Sequence, residues 1–180
     1  GAQYLYRSRD KGITWDRISP DLTTNDPKKQ TQEESGGLTV DNSSAENHCT
    51  IFTVCESPLD ENLIWVGTDD GNLQVTSDGG KTWKIFSSDV FKGYAHKIKE
   101  DLVSKDLLFL GTEMGLYVTI DGGNNWLQMK GHIPDYALVR DMTIEPKTND
   151  LVVGTHGRGV LIVDDISPLR KINADLLNKD

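Results

Sequence analysis

Apolar and polar residues alternate in short runs along this chain, and clusters of Gly, Pro, Asn and Asp separate the runs. A period of two bounded by such clusters predicts strands joined by tight turns. The run "CTIFTVC", Cys49 to Cys55, shows the alternation plainly. Downstream of it, the turn clusters "SPLDEN", "TDDGN" and "SDGGKT" divide the chain into four strands, at about Thr50–Glu56, Leu63–Gly67, Leu73–Ser77 and Trp83–Phe86.

The pattern then repeats. The segments "LIWVGTDDGNLQVTSDGGKTWKIF" (Leu63 to Phe86), "LLFLGTEMGLYVTIDGGNNWLQM" (Leu107 to Met129) and "LVVGTHGRGVLIVDDISPLRKI" (Leu151 to Ile172) align as one unit, with Gly67, Gly111 and Gly154 spaced 44 and 43 apart. Asp78, Asp121 and Asp164 fall 43 and 43 apart in the same alignment. A period near 43 carrying four short strands predicts an all-β fold, a partial β-propeller of about three and a half four-stranded blades. The expected organisation is one segment over 1–180: a half blade at 1–18, a long loop at 19–47, blades at 48–88, 90–130 and 135–172, and a tail at 173–180. Labelled a to d from the propeller axis outward, the half blade supplies only strands c and d.

One turn recurs between strands c and d. It reads "SRDKGITW" with Ser8, Asp10, Gly12 and Trp15, "TSDGGKTW" with Thr76, Asp78, Gly80 and Trp83, and "TIDGGNNW" with Thr119, Asp121, Gly123 and Trp126. Glycine supplies the positive φ such a turn needs, and the hydroxyl and carboxylate can bond the turn's own backbone. The aspartates are therefore expected to fasten the fold and not to catalyse. The tryptophans are expected to pack between blades, each contributing at most about 4–6 kcal/mol at ~25 cal/mol per Å².

Strands alternate in direction, so these turns share one face while the b–c turns and the d-to-a crossovers share the other. The b–c turns "TDDGN", "TEMGL" and "THGRG" bring Asp69, Asp70, Glu113, His156 and Arg158 to that second face. Asp69, Asp70 and Glu113 are the candidate acids if the chain cleaves glycosidic bonds, which takes two carboxyl groups at a set separation. Calcium is the ion an oxygen-only site at Asp69 and Asp70 would take, although solvated acids are the simpler reading and no metal or other cofactor is assigned. His156 and Arg158 could form an anion-binding corner; the alternative is that Arg158 pairs with Asp164 or Asp165. The first crossover is about 25 residues longer than the repeat requires, and its Glu33 and Glu34 are candidates to line a binding pocket.

Composition narrows the partners. With 36% hydrophobic and 26% charged residues the chain has an ordinary globular balance, and its formal charge of -9 argues against nucleic-acid binding. No apolar run is long enough for a membrane span. The two cysteines, at the ends of one strand roughly 20 Å apart by a ~3.3 Å rise per residue, are too distant for a disulfide.

The pattern Ser/Thr-x-Asp-x-Gly-x-x-Trp resembles the Asp-box of BNR repeats, shared by sialidases, xyloglucanases and the sortilin/VPS10 family. "SPDLTTNDP", "QEESGGLTVDNSSAEN", "WVGTDDGNLQVTSDGGKTW" and "GTHGRGVLIVDDISPL" further resemble secreted bacterial sortilin-like or glycosyl hydrolase BNR-repeat proteins. That resemblance implies a non-catalytic binding or scaffolding module of a larger extracytoplasmic protein, with a glycan or a peptide or protein as ligand. It also implies that the remaining blades of a larger propeller, or further copies of the chain, complete the ring. Two alternatives stay open: part of a glycosyl hydrolase, and a sortilin-like peptide-binding propeller. Sialidase activity is not expected, because the Arg-Ile-Pro signature is absent.

Overall fold

The computed structural model describes residues 3–31, 48–86, 91–131, 133, 134 and 136–172. They form four antiparallel sheets, each pairing its strands in chain order. The first holds β1 (Tyr6–Arg7) and β2 (Asp16–Arg17). The second holds β3 (Ile51–Glu56), β4 (Ile64–Thr68), β5 (Leu73–Thr76) and β6 (Lys84–Phe86), and the third β7 (Ala95–Glu100), β8 (Leu108–Thr112), β9 (Gly115–Thr119) and β10 (Leu127–Gln128). The last holds β11 (Val139–Ile144), β12 (Leu151–Thr155) and β13 (Val160–Val163). Strand β7 lies against both β3 and β11, so the sheets splay outward from a common inner edge. The fold is a partial β-propeller.

Strand alternation decides which side of each blade packs where. Trp65, Leu73 and Phe86 of the second sheet meet Ile98, Leu108, Leu110 and Trp126 across one interface. Phe109 and Leu116, on the other side of the third sheet, meet Val139, Met142, Leu151 and Val153. On the N-terminal side, Leu5, Ile18 and Leu22 cover Ile64 and Val66.

The closest approach between blades is made by glycine. A Cβ on Gly67 would lie 2.5 Å from the Cβ of Ala95, and one on Gly111 would overlap the Val139 side chain. Ala95 and Val139 open the inner strands β7 and β11, and each stands opposite the threonine that closes its second strand, Thr112 and Thr155. Gly154, the third member of the series, has only the Asp141 carbonyl within reach, at 3.6 Å. The same face of the last sheet is open. Val160 pairs with Gly154 as Leu73 pairs with Gly67 and Leu116 with Gly111, yet it is 67% exposed where the two leucines are at 0%. A shallow groove of about 200 Å³ runs along this face between Thr143, Gly154 and Val160.

The recurring turn works through two bridging groups. Thr76 Oγ1 donates to Asp78 Oδ1 at 2.8 Å while accepting from Gly80 N at 2.9 Å. Asp78 in turn accepts from Thr82 N at 2.9 Å and Thr82 Oγ1 at 2.6 Å. Ser8, Asp10, Gly12 and Thr14 reproduce this network, as do Thr119, Asp121, Gly123 and Asn125. Bonds from the Thr14 backbone and hydroxyl hold the Asp10 carboxyl down to a pKa of about 2. The Thr82 hydroxyl and backbone bonds likewise depress Asp78. Gly80 and Gly123, both at positive φ, let these turns press on the preceding blade, against the Ile18 backbone and the Trp65 ring.

Two expectations are corrected here. Trp126 is buried and Trp83 half-buried, but Trp15 is 61% exposed. Each indole leans toward the preceding blade, as Trp83 Nε1 does in donating to the Ile18 carbonyl, and among the described residues no blade precedes Trp15. Among the described residues the last blade has three strands where four were expected. By register Val163 matches Thr76 and Thr119, so the hydroxyl bridge is missing and Asp165, not Asp164, stands at the turn position. Asp165 accepts from Ser167 N, and Pro168 follows within a 3-10 helix over Ser167–Lys171. Proline has no N–H for a ladder, which stops an outer strand there.

That 3-10 helix is clamped to the third sheet. Arg170 Nε and Nη2 donate to the two oxygens of Asp101 at 2.8 Å each, with the Asp101 side chain at 0% exposure. Burial works against Asp101 ionising, but Arg170 and two backbone N–H groups outweigh it and keep its carboxyl below the ordinary value. Its neighbour Glu100 is also fully buried, accepts one bond from Ser57 Oγ at 2.5 Å, and leaves Oε2 without a partner among the described residues. Burial pushes the Glu100 carboxyl up. Cys49 and Cys55 are free, buried thiols, with Cys49 lying before the strand that holds Cys55.

Three outcomes follow for thermal unfolding. Gly111→Ala is expected to cost about 1–3 kcal/mol through overlap with Val139, whereas Gly154→Ala costs little because its site is open. Arg170→Ala is expected to cost about 3–5 kcal/mol by leaving Asp101 buried and unpaired. Glu100 has a folded pKa above its unfolded one, so its protonated form favours the fold at low pH, and this contribution is lost as pH rises from the ordinary value through the folded one. Glu100→Gln is therefore expected to stabilise the protein at neutral pH, with the gain shrinking toward pH 4 in a series of melts.

Candidate functional site

The b–c turns and the crossovers meet on one face, and there the acidic candidates are tied into the fold. Thr24 donates to Asp70 Oδ2 through its backbone N at 2.6 Å and its hydroxyl at 2.8 Å, and the Thr68 hydroxyl donates to Oδ1. Burial opposes ionisation of Asp70, but these bonds prevail and its carboxyl stays below the ordinary value. Asp69 accepts from Thr50 N at 2.8 Å and Thr50 Oγ1 at 3.0 Å, with His48 Nδ1 3.6 Å away. These two carboxylates staple the first crossover and the start of β3 to the b–c turn. The crossover is further held by the Leu22 carbonyl, which accepts from Asn72 Nδ2 and Gln74 Nε2, and by Leu22 itself at 0% exposure.

Glu113 lies over Gly93, whose added Cβ would stand 2.7 Å from Glu113 Cγ. It packs on the second crossover. Glu33 and Glu34 lie outside the described residues. His156 and Arg158 are exposed on the last b–c turn, which the His156 N to Leu138 O bond of 2.8 Å ties to the start of β11. Arg158 pairs with neither Asp164 nor Asp165; the ion pair that locks the last blade is made by Arg170 instead. Among the described residues, no three His, Cys, Asp or Glu side chains converge as a metal site would require.

A cluster that alternation and spacing do not reveal sits beside these turns. Phe52, Tyr94 and His96 meet at ring-centroid distances of 4.5 to 5.7 Å near the beginnings of β3 and β7. Arg140 Nη1 stands 3.4 Å from His96 Nδ1, and Arg140 is exposed. Burial, then the Arg140 charge, pushes the His96 pKa down, so the ring is neutral with Nδ1 accepting and its proton on Nε2. Phe52 is 46% exposed. The face thus presents an aromatic edge beside Arg140, with Arg158 on the last b–c turn, while Asp69 and Asp70 have their oxygens engaged by internal donors. The spacing of 44 residues between Phe52 and His96 hid this cluster, because alternation marks which side of a strand a residue takes but not which residues of neighbouring blades converge.

On the opposite face a cleft of about 430 Å³ opens between the 3-10 helix and the third sheet, bordered by Asp106, Asp121 and Arg170. Asp121 and Arg170 are spent on the turn network and on Asp101.

Known proteins place this geometry among propellers. No family model matches the chain. The vacuolar protein sorting/targeting protein 10 of Arthroderma gypseum is 31% identical over 106 residues, 56% of this chain and 7% of that protein. The GH74 enzyme of Niastella koreensis matches over 89% of this chain and 25% of that one, with a TM-score of 0.61 and 13% identity. YCF48 bound to a D1 peptide matches over 91% of this chain and 44% of that one, with a TM-score of 0.55 and 18% identity. The chain therefore spans less than half the length of each of these proteins, and at these identities the solved structures show the fold alone. It is a β-propeller segment that resembles the sortilin/VPS10-like, BNR-type propellers.

Proposed function

We propose that this chain is a non-catalytic β-propeller binding module of a larger secreted bacterial BNR-repeat protein. The observation that carries this reading is the internal saturation of Asp69 and Asp70 by Thr24, Thr50 and Thr68. A glycosidase general acid must shift between protonated and ionised forms at the scissile bond, whereas the Asp70 carboxylate, held by three fixed donors, stays ionised.

The ligand this face suits is an acidic peptide. Guanidinium groups at Arg140 and Arg158 bind carboxylates bidentately, and the Phe52 and Tyr94 rings offer apolar contact beside them. YCF48, a propeller of like fold, is bound to a peptide in its own structure. The open face of the last sheet, with Val160 and Ile162 at 67% and 60% exposure, suits packing against further blades of a larger ring or another copy of the chain.

A peptide array and a glycan array probed with the purified chain test the reading together. Acidic peptides are expected to bind, with Arg140→Ala and Arg158→Ala each weakening binding about tenfold, in line with the loss of a buried arginine contact. Release of reducing sugar from a glycan, abolished by Asp69→Asn or Asp70→Asn, would overturn it.

A further inference from the structure

The innermost strands β3, β7 and β11 share an irregularity. Each slips register at one residue: between Ile51 and Thr53, between Ala95 and Lys97, and between Val139 and Asp141. The residues left without a partner across the strand are Phe52, His96 and Arg140, one from each of three successive blades. An extra residue of this kind bends its strand and re-aims its side chain out of the alternation. Here the three side chains meet. The rings of Phe52 and His96 stand at right angles with centroids 5.0 Å apart, and Arg140 Nη1 lies 3.4 Å from His96 Nδ1.

Packing alone does not account for a histidine in the middle of this row. His96 is 4% exposed, and among the described residues its Nε2 has no partner. A buried polar group left unpaired destabilises a fold, a cost that an apolar residue at the same place would not carry. The bond the ring does make is to Arg140. Among the described residues no carboxylate pairs with that guanidinium, and its chain neighbour Asp141 is held by Lys97 Nζ at 2.8 Å. At the other end of the row Phe52 is half exposed beside Tyr94, their ring centroids 5.7 Å apart.

We infer that this bulged row is the specificity element of the peptide site: Arg140 takes a carboxylate, Phe52 takes an aromatic side chain, and His96 is a positioning residue that holds the guanidinium at a fixed distance from the ring. The inference rests on the acidic-peptide reading and adds a spacing to it. The two steps, of 5.0 Å and 3.4 Å, hold the Phe52 ring and the Arg140 guanidinium within roughly 10 Å of each other, and side chains two positions apart on an extended peptide leave one face about 7 Å apart. One or three positions apart, they leave opposite faces. The ligand is therefore an extended peptide with an aromatic residue two positions from an aspartate or glutamate.

The probes are synthetic peptides, acetylated and amidated so that no terminal charge competes, each with one Phe and one Glu in a Gly-Ser background. The two residues stand one, two or three positions apart, in both orders. Each peptide is titrated into the isotopically labelled full chain and followed by amide shifts at Phe52, Tyr94 and Arg140. A separation of two, in one order, is expected to bind about tenfold tighter than one or three, and Phe52→Ala to abolish that preference. His96→Asn, whose Oδ1 can accept from Arg140 in place of Nδ1, is expected to stay within about twofold of the unsubstituted chain. His96→Leu keeps the packing without the acceptor and is expected to weaken binding as far as Arg140→Ala does, with no further loss in the double variant. If His96→Leu does not fold, the separation series on the unsubstituted chain decides. Equal affinity at all three separations, or undiminished binding by a folded His96→Leu, overturns the inference and leaves the acidic-peptide reading standing. No binding by any of these peptides overturns both.

Discussion

The structure rests on the contact between a glycine near the end of each second strand and the residue that opens the next blade's inner strand. Gly67 takes Ala95 and Gly111 takes Val139, each with room for a hydrogen and nothing more. That close approach sets the blades near enough for Trp126 to join Trp65 and Phe86, which stack within their own sheet at a centroid distance of 5.4 Å, and for Met142 to reach the Phe109 cluster. Any side chain at these glycines would hold the inner strands apart and open the core along its whole height. The outer turns then act on a fold already brought together, with Gly80 and Gly123 pressing on the blade before.

This division explains why residues that read as chemistry behave as structure. Asp10, Asp78 and Asp121 are ionised, and each spends its oxygens on the hydroxyl two residues before it and on the residue four positions after it. Asp69 and Asp70 do the same for the crossover. A propeller built from short meanders must turn the chain tightly at every strand end, and short acidic side chains satisfy the backbone groups those turns strand. The face that carries the b–c turns also presents Phe52, Tyr94 and Arg140, although the chain as a whole carries a formal charge of -9.

What could be read in the sequence was what repeats locally. The strands around Trp65 and Phe109, the turns at Asp78 and Asp121, and the face that gathers Asp70 and His156 all follow from alternation and spacing. The recurring geometry of the network also has a partner the Asp-x-Gly-x-x-Trp spelling passes over: Thr14, Thr82 and Asn125, each just before the tryptophan, complete it. What could not be read depends on neighbours distant in the chain. Arg170 reaches Asp101 across 69 positions, Ser57 reaches Glu100 across 43, and neither pair leaves a periodic trace. Trp15 shares its spelling with Trp126 but not its burial, because burial is set by the adjoining blade. Among the described residues the last sheet has no outer strand, and the effect of Val163 and Pro168 there appears only once the register is known.

A double-mutant cycle between Gly111 and Val139 tests the central contact most directly. If the glycine exists to seat the next blade, Val139→Ala will relieve much of the loss caused by Gly111→Ala, giving a coupling of about 1 kcal/mol or more. Additive losses would mean that the two residues do not meet, and that something else holds the blades at their spacing.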